Sequence, residues 1–310
     1  MNNNLIEAFK EHIPLLQGCI SVEPILKGYS SDNKYLVRMR DDTYLLRSFD
    51  LAMLNAKEAE YEALINMMDR GVLCSRPLEF GSLPAHHTGY MVLTYVEGEE
   101  ASDVLPALSE SEQLQIGIAA GQELYKIHEY EAPGDVFPWY DRKMAKHRGY
   151  LDKYAASGIK IRNDARLLAF IDDHLELMKN RPNRFQHDDY HVGNLIVKDR
   201  RLAGVIDFNR WDWGDPLHDF LKVGMFSAEV SIPFSMGQIR GYHAGREPEL
   251  DFWRLYSLYL AMCLISSIVW IQQVKPEETD IMMAKINKVM ADHDDFGRII
   301  PRWYTGSFDF

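Results

Sequence analysis

Cysteine is scarce: Cys19, Cys74 and Cys263 are the only three in 310 residues. No two stand in a Cys-x-x-Cys pair, which leaves neither a zinc framework nor a disulfide framework and suits a reducing compartment, the cytoplasm. Basic charge is also short, with 34 Lys and Arg against 46 Asp and Glu and a formal net charge of −12. A nucleic-acid partner would want a basic face, so none is expected. The acidity favours a cationic small-molecule ligand through long-range attraction. The N-terminus has neither the basic start nor the apolar run of a signal peptide. The longest apolar stretch, about Leu258 to Ile271, contains Ser266 and Ser267 and is too short to span a membrane, so a buried core helix and no membrane partner are expected. No Gly-x-x-x-x-Gly-Lys-Ser/Thr run occurs, which excludes a Walker-type phosphate site.

What is present is ordinary in bulk and specific in one place. An apolar content of 46% and a charged content of 26% describe a globular chain long enough for one large or two modest domains, as a monomer or homodimer. The specific place runs from His187 to Asp207. Two short apolar runs, Leu195 to Val197 and Leu202 to Ile206, flank the polar turn Lys198-Asp199-Arg200-Arg201 and read as a β-hairpin. Asp189 and Asn194 stand before the first strand and Asp207 ends the second, so the turn-back brings three oxygen-bearing side chains together. Magnesium takes one or two protein oxygens and completes its octahedron with phosphates and water, which suits Asn194 and Asp207. Asp189 is then left to accept the proton of an attacking hydroxyl.

His187-x-Asp189 with Asn194 five residues on, Tyr190-His191-Val192-Gly193-Asn194, Ile206-Asp207-Phe208 and Gly214-Asp215-Pro216-x-x-Asp219 together resemble the aminoglycoside phosphotransferase family. That is the small-molecule branch of the protein-kinase-like fold. The resemblance implies an α+β, two-lobed architecture: an N-terminal nucleotide-binding lobe with an antiparallel sheet over residues 1–96 and a larger, mainly helical catalytic and substrate-binding lobe over 97–310. ATP, or alternatively GTP, would lie between them with magnesium. The position matched by Asp189 is the family's catalytic base, and those matched by Asn194 and Asp207 are its metal ligands. Two departures stand out: Asp188 occupies a position that is commonly Gly, and Asn209 follows Asp207-Phe208 where protein kinases have Gly. Two adjacent acids therefore compete for the base role, and Asp189 is preferred because only it has the four-residue gap to Asn194.

The rest of the chain supplies candidates for the nucleotide. Val22 to Leu26, Lys34 to Met39 and Thr43 to Phe49 read as strands, and the turn between the first two carries one glycine, Gly28. In the resembled family this loop often bears Ser and Asn, which makes Ser30, Ser31 and Asn33 candidate phosphate donors. Arg47 takes the place of the kinase strand lysine, where a guanidinium suits a phosphate clamp. A helix from Leu51 to Arg70 would supply the acid that pairs with it. Counting back from Gly71 selects Glu60, with Glu58 and Glu62 as alternatives, and for two of these three acids a charge on a solvated helix face is the preferred reading. Gly89 to Val96 resembles the strand leading to a kinase hinge and places adenine contacts at Thr94, Tyr95 and Val96.

Further helices are expected over Ser109 to His128, Asp164 to Met178, Phe234 to Tyr242, Leu250 to Ile271 and Thr279 to Ala291. His128 and Asp219 are read as structural hydrogen-bonding groups, the latter steadying the catalytic loop. Trp211, Asp212 and Trp213 are candidate substrate contacts, packing of the segment against its own lobe being the alternative. Glu247, Glu249, Asp251 and Asp309 are acids available to a polyamine. The reaction implied is transfer of a nucleotide γ-phosphate to an alcohol. An aminoglycoside or related antibiotic is the first expectation for the acceptor, and a metabolite of the choline, ethanolamine, homoserine or fructosamine type the alternative. A non-catalytic nucleotide-binding module is the alternative of another class.

Overall fold

The computed structural model describes residues 3–27 and 32–305. The chain forms two compact units, Met1–Gly98 with Ala203–Asn209, and Glu99–Leu202 with Arg210–Phe310. Ala203–Asn209 groups with the first unit although it lies far along the chain, because Val205 N–H donates to Leu73 O at 2.7 Å and Val205 bridges Cys74 in parallel.

In the first unit, helix α1 (Asn3–His12) precedes an antiparallel sheet of β1 (Ser21–Ile25), β2 (Asn33–Arg38), β3 (Thr43–Asp50), β4 (Pro77–Leu83) and β5 (Thr88–Thr94), in the spatial order β1-β2-β3-β5-β4. Helix α2 (Leu54–Asp69) joins β3 to β4. Ile6, Phe9 and Ile13 recur at helical spacing, so α1 and the turn after it present one apolar face. That face packs on Val37, Leu46 and Val92, which their strands' two-residue period sends to the same side. Each such side chain removed from water contributes roughly 1.5–3 kcal/mol. Pro14 stops α1 as expected and opens a single 3-10 turn, Pro14–Leu16.

The second unit contains β6 (Glu99–Glu100), α3 (Ala101–Val104), α4 (Glu110–His128), α5 (Trp139–Ala156), α6 (Asp164–His174), β7 (Arg184–Gln186), β8 (Leu195–Lys198), β10 (Asp212–Gly214), α7 (Ile232–Tyr242), α8 (Leu250–Val274) and α9 (Thr279–Asp292). Between β8 and β10 the chain passes along β9 (Arg201–Val205), and the sheet order is β6-β8-β9. The β8–β9 connection is two residues long, Asp199 at φ 50° and Arg200 at φ 61°. Two left-handed residues in succession make the tight hairpin turn whose twist matches the strands.

Helix α4 starts on a reciprocal cap, with Glu112 N–H donating to Ser109 Oγ and Ser109 N–H donating to the Glu112 carboxylate. Its Gly117 and Gly121 lie against α7, and Gly237 and Gly241 of α7 lie against α4. A Cβ at Gly121 would run into the Gln238 carbonyl oxygen, and one at Gly241 into the Ile118 carbonyl. Backbone meets backbone here, so neither helix can retreat cheaply. We expect Gly121→Ala to cost at least about 1–3 kcal/mol, measured as a lowered urea midpoint with the slope unchanged.

Helix α8 is longer than its apolar stretch. It has the length and composition of a membrane span, yet 78% of its most apolar window is buried inside the protein. Arg254 and Asp251 pair with each other at 3.1 Å on its exposed side.

Candidate active site

In the second unit the segment from His187 to Asn194 connects β7 to β8, and its course is fixed largely by one buried carboxylate. Asp219 accepts the N–H of His187 at 2.8 Å and of Asp188 at 2.7 Å, and its Oδ2 also meets His128 Nε2 at 3.0 Å. His128 Nδ1 lies 3.0 Å from the Tyr242 hydroxyl, so both ring nitrogens are occupied by structure. Asp188 has φ 59°, a backbone state in which Gly is unstrained and Asp is tolerated better than most residues. The buried Tyr190 donates to Ala120 O at 2.7 Å, tying the loop to α4. Beneath it, β7 pairs antiparallel with β10, Gln186 opposite Asp212, and Gln186 Nε2 donates to Asp215 O at 2.6 Å.

Asp189 is half-buried and its Oδ1 accepts from Lys222 Nζ at 2.8 Å, with His191 Nε2 3.6 Å away. Burial alone would raise the carboxyl, but the Lys222 ammonium and His191 hold it below the usual carboxylate range. Burial likewise works against the charge of Lys222, which Asp189 nonetheless holds above the ordinary lysine value. Asn194 Nδ2 donates to the Asp189 carbonyl at 2.8 Å, which spends the amide nitrogen inside the loop and leaves the side-chain oxygen as its acceptor group. Asp188, the competing acid, faces elsewhere. Its Oδ1 lies 3.2 Å from His218 Nδ1, and His218 Nε2 is 2.6 Å from Lys143 Nζ.

In the first unit, Asp207 has φ 68° and a buried Oδ1 with no hydrogen-bond partner among the described residues. Arg47 on β3 reaches Glu60 on α2 as expected, Nη1 to Oε1 at 2.5 Å, while Glu58 and Glu62 are exposed. Two residues that sequence reasoning missed complete this cluster. Lys57, one helical turn before Glu60, donates to Asp32 Oδ2 at 2.7 Å and to Glu60 Oε2 at 3.1 Å. Asp32 also accepts from Arg47 Nε at 3.1 Å. All four are buried, and two cations balance two anions. Burial would raise Asp32, but Arg47 and Lys57 hold it below its ordinary value. Phosphate oxygens gripped by Arg47 would therefore compete with Asp32.

Other candidates are distributed as follows. Asn33 begins β2, exposed, whereas Ser30 and Ser31 lie outside the described residues, as does Asp309. Thr94 N–H donates to Arg76 O at 2.9 Å and Tyr95 N–H to Thr43 O at 3.1 Å. Of the three expected adenine contacts, Val96 is thus the one whose N–H the sheet does not use. Trp211 stacks on Phe185 at 5.3 Å, and Trp213 stands edge-on to Tyr130 at 4.9 Å. Asp212 accepts from Arg142 Nη1 at 3.0 Å. Glu247, Glu249 and Asp251 line one cavity, shared with Arg181 and Arg246.

A catalytic loop held by a buried Asp, a strand arginine paired to a helix glutamate, and a strand-terminal Asp define a phosphotransferase of the protein-kinase-like fold. The model of the phosphotransferase enzyme family known as APH matches residues 21–256, and the chain belongs to that family. Solved structures agree on the fold. The gentamicin complex of APH(2")-IIa superposes with a TM-score of 0.66 at 16% identity, covering 97% of this chain and 99% of that one. The GDP complex of an aminoglycoside 2'-phosphotransferase-IIIa mutant gives 0.70 at 13% identity, covering 96% and 100%. A thermostable APH(4)-Ia mutant with AMP-PNP and hygromycin B gives 0.67 at 14%, covering 91% and 96%. No curated protein matches the sequence.

The family implies magnesium, and the donor set fits it. Taken singly, the Asp207 Oδ1, buried without a hydrogen-bond partner among the described residues, and the Asn194 amide oxygen are each hard oxygen donors of the kind magnesium takes. Among the described residues no group of three or more His, Cys, Asp or Glu is placed to hold a metal, so the remaining ligands would be phosphate and water.

Proposed function

We propose that this phosphotransferase moves the γ-phosphate of ATP, with GTP as the alternative donor, to a hydroxyl of a small molecule, and that it does so in the cytoplasm. Asp189 is the base in this reading. It accepts the hydroxyl proton as the acceptor oxygen bonds to phosphorus and the nucleoside diphosphate leaves. Asn194 and Asp207 would hold magnesium, whose charge would offset that developing on the phosphates. Arg47, fixed by Glu60, clamps phosphate oxygens together with Asn33, Ser30 and Ser31, and adenine is met by backbone near Val96, with Thr94 and Tyr95 beside it.

The observation that carries this reading is the division of labour in the loop. Asn194 spends its nitrogen on the Asp189 carbonyl, which leaves its side-chain oxygen to serve as a ligand. The carboxylate of Asp189 stays ionised beside Lys222. Positioning and fixed charge are what phosphoryl transfer chiefly requires of a protein.

For the acceptor, an aminoglycoside is supported by the gentamicin and hygromycin B bound to similarly folded proteins, with Trp211, Asp212 and Trp213 as candidate contacts. A metabolite alcohol is the second reading, favoured by the cations Lys222 and Lys143 around the two acids. Screening the purified protein with ATP and magnesium against aminoglycosides, macrolides and amino alcohols tests this directly. Nucleotide consumption that depends on an acceptor is expected. Tight ATP binding without turnover of any acceptor would instead make the chain a nucleotide-binding module.

A further inference from the structure

Around the catalytic loop each acid has a hydrogen-bond or ion-pair partner, and one cation has, among the described residues, no carboxylate in direct contact. Asp188 faces His218 at 3.2 Å, Asp189 takes Lys222 at 2.8 Å, Asp212 takes Arg142 at 3.0 Å, Asp215 takes Arg181 at 2.7 Å, and Asp219 meets His128 at 3.0 Å. None of these five is left over for an ammonium group of a substrate.

Lys143 of α5 is the converse case. It is half-buried, its Nζ sits 2.6 Å from His218 Nε2, and among the described residues no carboxylate comes within ion-pair distance of it. An ammonium only donates, so Nε2 is the bare ring nitrogen and the ring proton is left to Nδ1, which lies 3.2 Å from Asp188 Oδ1. Burial pushes Lys143 down to about 8, with Asp188 pulling the other way. A desolvated cation whose nearest anion, Asp188, stands on the far side of His218 is costly, and the protein keeps one next to its reactive loop.

The surroundings strengthen the case. Lys146, one turn along α5, is exposed and adds positive potential at Asp188. Cys263 of α8 lies within electrostatic range of both Lys143 and Lys222, so α5, α8 and the segment after β10 pack near one another here. The net charge of −12 argues for a cation only at long range. Exposed charges more than about 10 Å apart are largely screened, and contact groups then decide what binds.

We propose that the acceptor is an alcohol that also carries an anionic group, a carboxylate or a phosphate ester, which Lys143 receives while the hydroxyl faces Asp189. The inference rests on Asp189 being the base. In the transfer, the bond from γ-phosphorus to the bridging oxygen breaks and the acceptor oxygen bonds to that phosphorus. The hydroxyl proton goes to Asp189, and Lys143 changes neither charge nor covalent state.

The test uses the full chain with ATP and magnesium, mass detection of phosphorylated product, and two acceptor sets: gluconate, glycerate and glucose 6-phosphate against kanamycin, gentamicin and choline. Turnover of an anionic member is expected. Lys143→Gln should then raise the KM for that acceptor about tenfold or more while changing kcat far less, and Lys143→Arg should recover part of the loss. Turnover confined to the cationic set overturns the inference and leaves the kinase reading standing. A Lys143→Gln effect falling on the KM for ATP also overturns it, assigning the lysine to the nucleotide. Turnover of neither set overturns it as well, and absence of ATP binding in the same sample would remove the kinase reading too.

Discussion

Replacing Asp189 by Asn lowers kcat by about 10²- to 10⁴-fold, the usual contribution of a positioned base, and leaves the protein folded. The substitution is nearly isosteric and keeps an oxygen for Lys222 Nζ, which lies 2.8 Å from Oδ1. What it removes is the negative charge, and with it the ability to take a proton. Asp188→Asn is the control. Its carboxylate faces His218 rather than Lys222, so we expect a loss of less than about tenfold, a fraction of what a base contributes. Circular dichroism and steady-state kinetics on both variants decide the matter, and the opposite ranking would move the base role to Asp188. The pH profile follows from the same geometry. Asp189 is held below the usual carboxylate range, so the active ionised form persists above that depressed value and is lost as pH falls through it. Between pH 7 and pH 5 this group should cause no fall in kcat/KM.

The parts legible in the sequence were those set by local spacing or carried by the family's motifs. The hairpin from Leu195 to Val205 declares itself because two apolar runs bracket a polar turn, whereas the Arg47–Glu60 pair came from the family resemblance, which asks for an acid on the helix after β3 and left Glu58 and Glu62 open beside Glu60. His128 and Asp219 were readable as structural groups and serve as such. The chemistry around Asp189 was not readable, since it depends on contacts between distant segments. Lys143 meets His218 across 75 positions and Lys222 meets Asp189 across 33, and no periodicity encodes such partners. One weak signal was available: Lys222 stands three residues after Asp219, one helical turn away. Strands β7 and β10 are three residues each, too short for an alternating pattern. Helix α8 starts at Leu250 as expected and runs three residues past Ile271, to Val274, because the polar Gln272 and Gln273 end the apolar pattern before the helix itself ends.

The Arg47 cluster carries a related lesson about which charges can be inferred from a motif. The motif supplies one cation and one anion, whereas the protein buries two of each, with Lys57 and Asp32 completing the set. Removing one member strands an uncompensated buried charge. Loss of activity after substituting Arg47 is therefore ambiguous between phosphate contact and unfolding, and it is a poor test of the nucleotide site.

Asp207→Asn is the better one, because activity and stability should move in opposite senses. In the wild-type protein Asp207 Oδ1 is buried without a hydrogen-bond partner among the described residues, an arrangement that costs about 1–3 kcal/mol even for an uncharged group. Such a carboxylate is retained for something it binds. Asn tolerates the backbone state at φ 68°, whereas Ala would add strain and blur the comparison. Removing the charge should therefore leave the ligand-free melting temperature unchanged or raise it. Turnover should fall by at least about 10²-fold, and the magnesium dependence of nucleotide affinity, measured by calorimetry with and without the ion, should disappear. If Asp207→Asn instead destabilised the protein by several kcal/mol while keeping magnesium-dependent binding, the carboxylate would be a structural anchor and the metal would have to be held elsewhere.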